Sequence, residues 1–476
     1  MQIFKRSAWK SLTITLISCC LFVGALTLSL PSLLSTSWGN EALLKIVNSY
    51  ITENLQVQKI SLSWFGSQKV EGLSVEDPLN HQTLSVQSLK METSLFTFIT
   101  NRELSGKLAL KKISFKTLND ESTIDTFYIF LKKHNGFQNI AIQFDGKISS
   151  TKAKEGSFSG ELEMHSFSSL HTMTIALKAK THNFPAAFLE ILSGRNEIGA
   201  LFGHSIEMDI ALDTNKHTGN IQASLSGKNG QTSLHAHMEN NVLTLNDPFI
   251  LKTKGTTELH QKILNKISPL FKEMIASEEA IHLKVSPEHF SLPIRDFSLD
   301  KLHVEHATLD AGMLVFKNNG EIKELFSALR PVESEKINIW TTPLHISLKN
   351  GILNIQRMDM LIMDKYPIAA WGKINFIKDK VQVTLGLTGI ALSRVLDNQN
   401  IGKDVIVQIP VTGSLTHAKI DKSKATRKIG ALIAQNSNHP GGLILGAALG
   451  LMNGKEEAVP PQTTNPLPWE KSRKKN

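Results

Sequence analysis

Thr83–Leu95, TLSVQSLKMETSL, and Lys107–Lys116, KLALKKISFK, decide how this chain folds. In the first run Leu84 and Val86 are followed by Leu89 and Met91; in the second, Leu108 and Leu110 are followed by Ile113 and Phe115. Apolar side chains two residues apart, with polar ones between, put one side of an extended chain on a core and the other in water. Within each run the phase slips by one residue between the pairs, as a β-bulge or a switch of face would produce.

The same period spreads in both directions. Upstream, Ile60–Pro78, ISLSWFGSQKVEGLSVEDP, alternates through Ile60, Leu62 and Trp64, breaks at Phe65-Gly66, and resumes at Leu73 and Val75. Downstream it returns in FQNIAIQFDGKI, TIALKAK, SIEMDIALD, NIQASLSG, TSLHAHMEN, TPLHISLKNGILNIQRMDMLI and VIVQIPVTGSL. Turn signals stand at Asp145-Gly146, Lys228-Asn229-Gly230, Asn318-Asn319-Gly320 and Asn350-Gly351. Hairpins closed by such residues make neighbouring strands antiparallel. The expected fold is mostly β with a few helices: a long antiparallel sheet, curled into a groove of the β-taco type, behind an N-terminal transmembrane helix.

Few segments have helical spacing. NEALLKIVNSYITENL carries Leu43, Leu44, Ile46, Val47, Tyr50, Ile51 and Leu55 on one stripe, with Asn40 as N-cap, and predicts about four turns. PAAFLEILSGRNEIGALFG, TTELHQKILNKISPLFKEMI (Thr257 as cap), EIKELFSALRP, ALSRVLDNQNIG and KATRKIGALIAQ complete the set. Against roughly two dozen strand-like runs, these helices are too few to cover the sheet.

The 476 residues are 41% hydrophobic and 20% charged, enough apolar content for packed cores. The formal charge is +9, with lysines spread along the chain rather than clustered with aromatics. No zinc, RNP or basic-helix pattern accompanies that charge, so no nucleic-acid partner is expected. The cysteines are Cys19 and Cys20, both in the apolar N-terminus, which leaves the rest without a disulfide framework or a cysteine metal site.

That N-terminus carries Lys5, Arg6 and Lys10, then no charge from Ser11 to Asn40. Residues 11–34 include Leu12, Ile14, Leu16, Ile17, Leu21, Phe22, Val23, Leu26 and Leu28. At about 1.5 Å per residue they are long enough to cross a hydrocarbon core of about 30 Å. Positive charge on the short side places the N-terminus in the cytoplasm and exports the rest, giving a single-pass inner-membrane protein with its bulk in the periplasm. A cleaved signal peptide and a lipoprotein site at Cys19 are the competing readings.

The organisation expected is a cytoplasmic stub and anchor over 1–36, a helix and β region over 37–183, a middle β region with helices over 184–280, and a C-terminal β region over 281–422. Residues 423–476 would hold a helix, the glycine-rich apolar stretch at 441–452 and a disordered, proline-rich basic tail.

No catalytic or cofactor constellation emerges. The 17 histidines are scattered. His235 and His237 share a strand face without a third ligand, and His303–His306 lacks the spacing of a zinc-protease motif. Ser149–Lys152 has a Ser-x-x-Lys pair without its companion elements. The chain therefore reads as a non-enzyme with no cofactor and no metal. What remains is apolar strand surface, which suits acyl chains because each buried CH₂ contributes roughly 0.8 kcal/mol without directional contacts. A closed sandwich core would show the same alternation. Candidate groove or core residues are Leu62, Trp64, Phe65, Leu84, Val86, Leu108 and Leu110.

An anchor, an amphipathic helix, LQVQKISLSWFGSQKVEGLSVEDP, then TLSVQSLKMETSL and LSGKLALKKISFK, resemble the start of AsmA-like proteins. WGKINFIKDKVQVTLGLTGIALSRVL and VIVQIPVTGSLTHAKID, with Ile409-Pro410-Val411 and Gly413-Ser414-Leu415, are similar to that family's end; Ala418 stands where the family usually has proline. The resemblance implies a membrane-anchored periplasmic protein of outer-membrane biogenesis that binds or passes phospholipid along a β-groove, with envelope proteins as further partners. Trp64 and Phe65 would then anchor the membrane-proximal end of the sheet, unless they are simply large core residues. A non-catalytic envelope scaffold and a hydrolase hidden in the middle region are the alternatives.

Overall fold

The alternating runs become strands because their apolar positions share one face across many hydrogen-bonded neighbours. The computed structural model describes residues 29–48, 54–77, 82–101, 106–116, 121–134, 139–150, 155–165, 174–193, 196–215, 218–264, 273–294, 298–319, 334–396, 401–415, 417–421, 427–431, 459–463, 467 and 469–470. The protein is mostly β, with antiparallel pairing throughout the described ladders. It divides into two compact units: residues 1–194 with 204–216, and residues 195–203 with 217–476.

In the first unit a helical turn at 29–34 leads into α1 (Ser37–Asn48), then β1 (Asn54–Gln56), β2 (Lys59–Ser61), β3 (Gln68–Asp77) and β4 (Gln82–Met91). After α2 (Leu95–Asn101) come β5 (Gly106–Lys116), β6 (Glu121–His134), β7 (Asn139–Ser150), β8 (Gly156–His165) and β9 (Thr174–Pro185). Helix α3 (Ala186–Ser193) and β10 (Ser205–Asn215) complete it. Both β1 and β2 pair with β3, and the ladder then runs in chain order to β10.

At the phase slip the apolar residues stay on one side of the sheet, and the pairing register runs through unbroken. Register passes from Glu71↔Ser88 to Leu73↔Val86, and from Val86↔Ile113 to Ser88↔Lys111, leaving Gly72, Gln87 and Lys112 unpaired. Gly72 (φ 62°) and Lys112 (φ 48°) are left-handed. These three residues lie opposite one another, one on each strand, so β3, β4 and β5 kink together and Leu84, Val86, Leu89, Leu110, Ile113 and Phe115 join one cluster. A Cβ on Gly72 would come within 2.3 Å of the Gln58 side chain. Gly72→Ala is expected to cost about 1–2 kcal/mol, the penalty for a left-handed L-residue, read as a lowered urea midpoint.

Asp145-Gly146 is not a turn; both residues lie inside β7. Phe158 covers Gly146 so closely that a Cβ there would sit 2.5 Å from the ring, so this glycine makes room for an aromatic side chain. The first helix also departs from expectation. It spans three turns, and Thr36 caps it, its Oγ1 accepting from Gly39 N at 3.2 Å. Asn40 lies inside the helix and is buried. Its amide donates to the Leu34 and Ile60 carbonyls and accepts from Ile60 N, tying α1 to β2. Leu55 belongs to β1, where its backbone pairs with the Asn48 amide.

The second unit opens with α4 (Ile198–Phe202), β11 (Thr218–Gly227), β12 (Gly230–Glu239), β13 (Val242–Leu245) and β14 (Phe249–Lys254). A short α5 (Thr257–Leu259) is capped by Thr256 rather than Thr257 and continues as a π-turn at His260–Leu264. Next come β15 (Met274–Ser277), β16 (Ala280–Val285), β17 (Leu292–Pro293), β18 (Val304–Asp310) and β19 (Met313–Lys317). Then follow β20 (Lys336–Thr341), β21 (Leu344–Lys349), β22 (Ile352–Ile362), β23 (Tyr366–Asn375) and β24 (Lys380–Thr388). Helix α6 (Gly389–Leu396), β25 (Ile406–Gly413) and β26 (Ala418–Ile420) end it.

One ladder runs β11–β12–β14–β16–β18–β21–β22–β23–β24–β25–β26. Strand β22 outruns β21, and past a register shift at Ile355/Met358 its second half pairs with β20, which leads on to β19 and β15. Asn350 and Gly351 both have positive φ and close the two-residue hairpin between β21 and β22, as a type I′ turn requires.

The sheet is not strongly curled, which corrects the expected curling into a groove of the β-taco type. In the second unit the apolar positions are spent on closed cores. Met274, Phe316, Ile337, Ile362, Leu387 and Leu392 belong to one, which joins β15, β19, β20, β22 and β24 to α6. Ala236, Leu243, Leu245, Val285 and Ala307 form another. Among the described residues no helix is long and apolar enough to cross a membrane, and the anchor positions Leu12 to Leu28 lie outside those residues. The expected helix EIKELFSALRP also lies outside them.

Candidate functional site

The apolar face of the first unit is closed at one end and open along the rest. At the closed end Phe188 and Leu189 of α3 join Val86, Ile113, Ile124, Ile148 and Phe184. Ile148 is completely buried. Helix α3 follows β9 without a loop, so Phe184 and Phe188 arrive over the sheet together. Aromatic rings run across this end: Phe115 to Phe188 at 4.8 Å, Phe188 to Phe184 at 5.4 Å, Phe184 to Phe158 at 5.9 Å and Phe158 to Phe127 at 5.4 Å. Edge-to-face contacts of this kind add to the burial itself.

Away from α3 the same face continues through half-buried side chains. Register places Leu108 beside Ile129, Ile129 beside Phe144, Ile142 beside Leu162, Leu162 beside Leu177, and Leu177 beside Leu212. Each of these is half-buried. From β5 to β10 the face is about 24 Å wide, five strand spacings of about 4.8 Å. That exceeds the roughly 15 Å taken by one leaflet of a hydrocarbon core about 30 Å thick.

The opposite face is charged and paired. Lys180 meets Asp209 at 2.9 Å, His182 meets Glu207 at 3.0 Å, and Lys147 meets Glu155 at 3.0 Å. The Glu155 carboxylate raises the Lys147 ammonium above its ordinary pKa. These pairs border a shallow depression of about 450 Å³ beside Tyr128, whose three basic side chains already have carboxylate partners. The two faces of the unit thus differ sharply in polarity.

Of the candidate residues, Leu84, Val86 and Leu110 fall in the closed cluster and Leu108 on the open part of the same face. Leu62 and Trp64 are half-buried in the turn between β2 and β3. Phe65 is 75% exposed, not a core residue. The open-face residues of β7, β9 and β10 were readable in NIAIQFDGKI, TIALKAK and SIEMDIALD, whose alternation marks them; Leu162 of β8 and the lid residue Phe184 lay outside the runs singled out. His235 and His237 point to different partners, Asp247 and Asn220, each at 2.9 Å. Among the described residues no three metal-ligating side chains converge. Comparison with family models, curated proteins and solved structures finds no match to this chain.

Proposed function

We propose that this is an inner-membrane-anchored periplasmic protein of the AsmA-like kind, acting in cell-envelope and outer-membrane biogenesis. It binds or passes phospholipid along the open apolar face of β5–β10, the shallow groove of the sheet. One observation carries the reading: one end of that face is sealed by α3, while the rest stays partly exposed, and the opposite face carries the charged pairs. Acyl chains lie across Leu108, Ile129, Ile142, Leu162 and Leu177, gaining roughly 0.8 kcal/mol per buried CH₂. No catalytic step, cofactor or nucleic acid enters this function. The residue 11–34 stretch holds the chain at the membrane that supplies the lipid.

A photoreactive benzophenone side chain placed at Ile142 or Leu162 tests this in cells. Both are expected to crosslink phospholipid, while the same group at Ser159, on the polar face of β8, is expected to yield none. Crosslinks to protein but never to lipid at 142 and 162 would overturn lipid binding and leave an envelope scaffold.

A further inference from the structure

Three segments that meet at one end of the first unit carry no charge: residues 29–40, 60–68 and 93–101. At the chain's 20% charged content, thirty such residues would hold about six. Charges resume at their borders, with Glu41, Lys59, Lys69, Glu92 and Arg102. The segments are joined by hydrogen bonds. Ser35 Oγ accepts from Leu62 N at 2.7 Å, and Phe96 N donates to the Trp64 carbonyl at 2.9 Å.

A polar scaffold within this end turns large side chains outward. The buried Gln68 amide donates to the Ser63 and Gly66 carbonyls at 2.8 and 2.9 Å and accepts from Ser63 N at 2.7 Å. Ser94 Oγ caps α2 through Thr97 N at 3.1 Å. Held this way, the rings of Phe65 and Phe96 meet tilted at 5.5 Å while 75% and 50% exposed. Ile99 on the same helix as Phe96, and Trp38, Leu30 and Leu33 on the segment hydrogen-bonded to Leu62, are exposed as well. Exposed apolar side chains gathered on hydrogen-bonded segments mark a contact surface, and aromatic side chains among uncharged polar residues suit the membrane–water interface.

The occupant follows from chain continuity. Leu30 and Leu33 lie at the end of the apolar 11–34 segment, inside the uncharged stretch that runs from Ser11 to Asn40, so the patch is continuous in sequence with that segment. We propose that Leu30, Leu33, Trp38, Phe65, Phe96 and Ile99 form an interfacial docking surface that enters the headgroup layer of the bilayer. The inference rests on the reading of residues 11–34 as a membrane span, and adds that the folded unit itself lies on the lipid rather than hanging from a tether.

The test uses the full chain with Cys19 and Cys20 replaced by serine and one new cysteine at position 38, 65, 96, 159 or 21. Each cysteine carries a nitrobenzoxadiazole dye, and the chain is reconstituted in phosphatidylethanolamine–phosphatidylglycerol vesicles. Lipids bearing a nitroxide near the headgroup or deep in the acyl chain serve as quenchers. Dyes at 38, 65 and 96 are expected to emit at shorter wavelength and to lose most of their emission to the shallow quencher. The dye at 159 should be unaffected, and the dye at 21 should respond to the deep quencher. Quenching at 21 with none at 38, 65 and 96 overturns the docking surface and leaves the span intact. No quenching at any position overturns both. A shift at 65 and 96 without lipid quenching means that protein covers the patch, which also overturns the proposal. Position 38 lies on a different element from 65 and 96, so a disturbed β2–β3 turn cannot decide the result.

Discussion

Replacing Arg357 with methionine is expected to destabilise the second unit by about 3–5 kcal/mol, the cost of stranding a buried charge. Arg357 and Asp359 are 10% and 7% exposed and meet at 2.7 Å. The guanidinium grips both carboxylate oxygens, with Nε at 3.1 and 3.2 Å. Asp359 also accepts from Thr463 Oγ1 at 2.7 Å, and Arg357 donates to the Pro461 carbonyl at 2.7 Å. The pair therefore pins residues 459–463 of the proline-rich tail to β22. Without the arginine, Asp359 keeps only the threonine and the tail loses a strong donor. Urea unfolding of the full chain reads the loss, and amide hydrogen exchange at Gln462 and Thr463 is expected to quicken at the same time. The double variant R357M with D359L should recover most of the stability, because apolar residues of similar volume replace buried ion pairs with little loss. If the double variant is as unstable as the single one, the ion pair itself, not the stranded charge, supplies the stability.

The second large effect lies along one strand. Ile148→Ala is expected to cost about 2–5 kcal/mol, since Ile148 is fully enclosed beneath α3 and its removal leaves a cavity. Ile142→Ala, on the same face of β7 but half-exposed, is expected to cost less than about 1.5 kcal/mol, because little apolar area leaves water there. Urea midpoints of the two variants in detergent-washed protein measure how far closure extends along the face. Equal and large losses would show that Ile142 is as enclosed as Ile148 and would remove the open surface on which lipid binding depends.

Particular residues show how much could be read in advance. Alternation identified β4, β5, β7, β9 and β10, because a period of two is a property of neighbouring residues and survives any tertiary arrangement. The phase slips were visible in the sequence, yet they mark a shared kink at Gly72 and Lys112, both left-handed, rather than a bulge or a flip of the apolar side. Asp145-Gly146 misled because glycine has two uses, reversing a chain and admitting an aromatic ring, and the ring of Phe158 comes from another strand. Asn40 misled for a similar reason: its amide suits a cap, but Thr36 was one turn nearer the bend and β2 offered Asn40 backbone partners. Phe65 read as a core aromatic because size alone cannot tell which side of a turn a residue occupies.

The amino-acid order by itself determined the β character, the antiparallel pairing, the uncharged N-terminal stretch and the identity of the apolar face, since each depends on local period, turn chemistry or composition. Only the tertiary structure decided where that face is sealed, that the second unit spends its apolar residues on closed cores, and that Arg357 holds the tail. Those outcomes depend on contacts between residues as many as 104 positions apart, and enclosure is a property of surfaces that meet rather than of either surface alone.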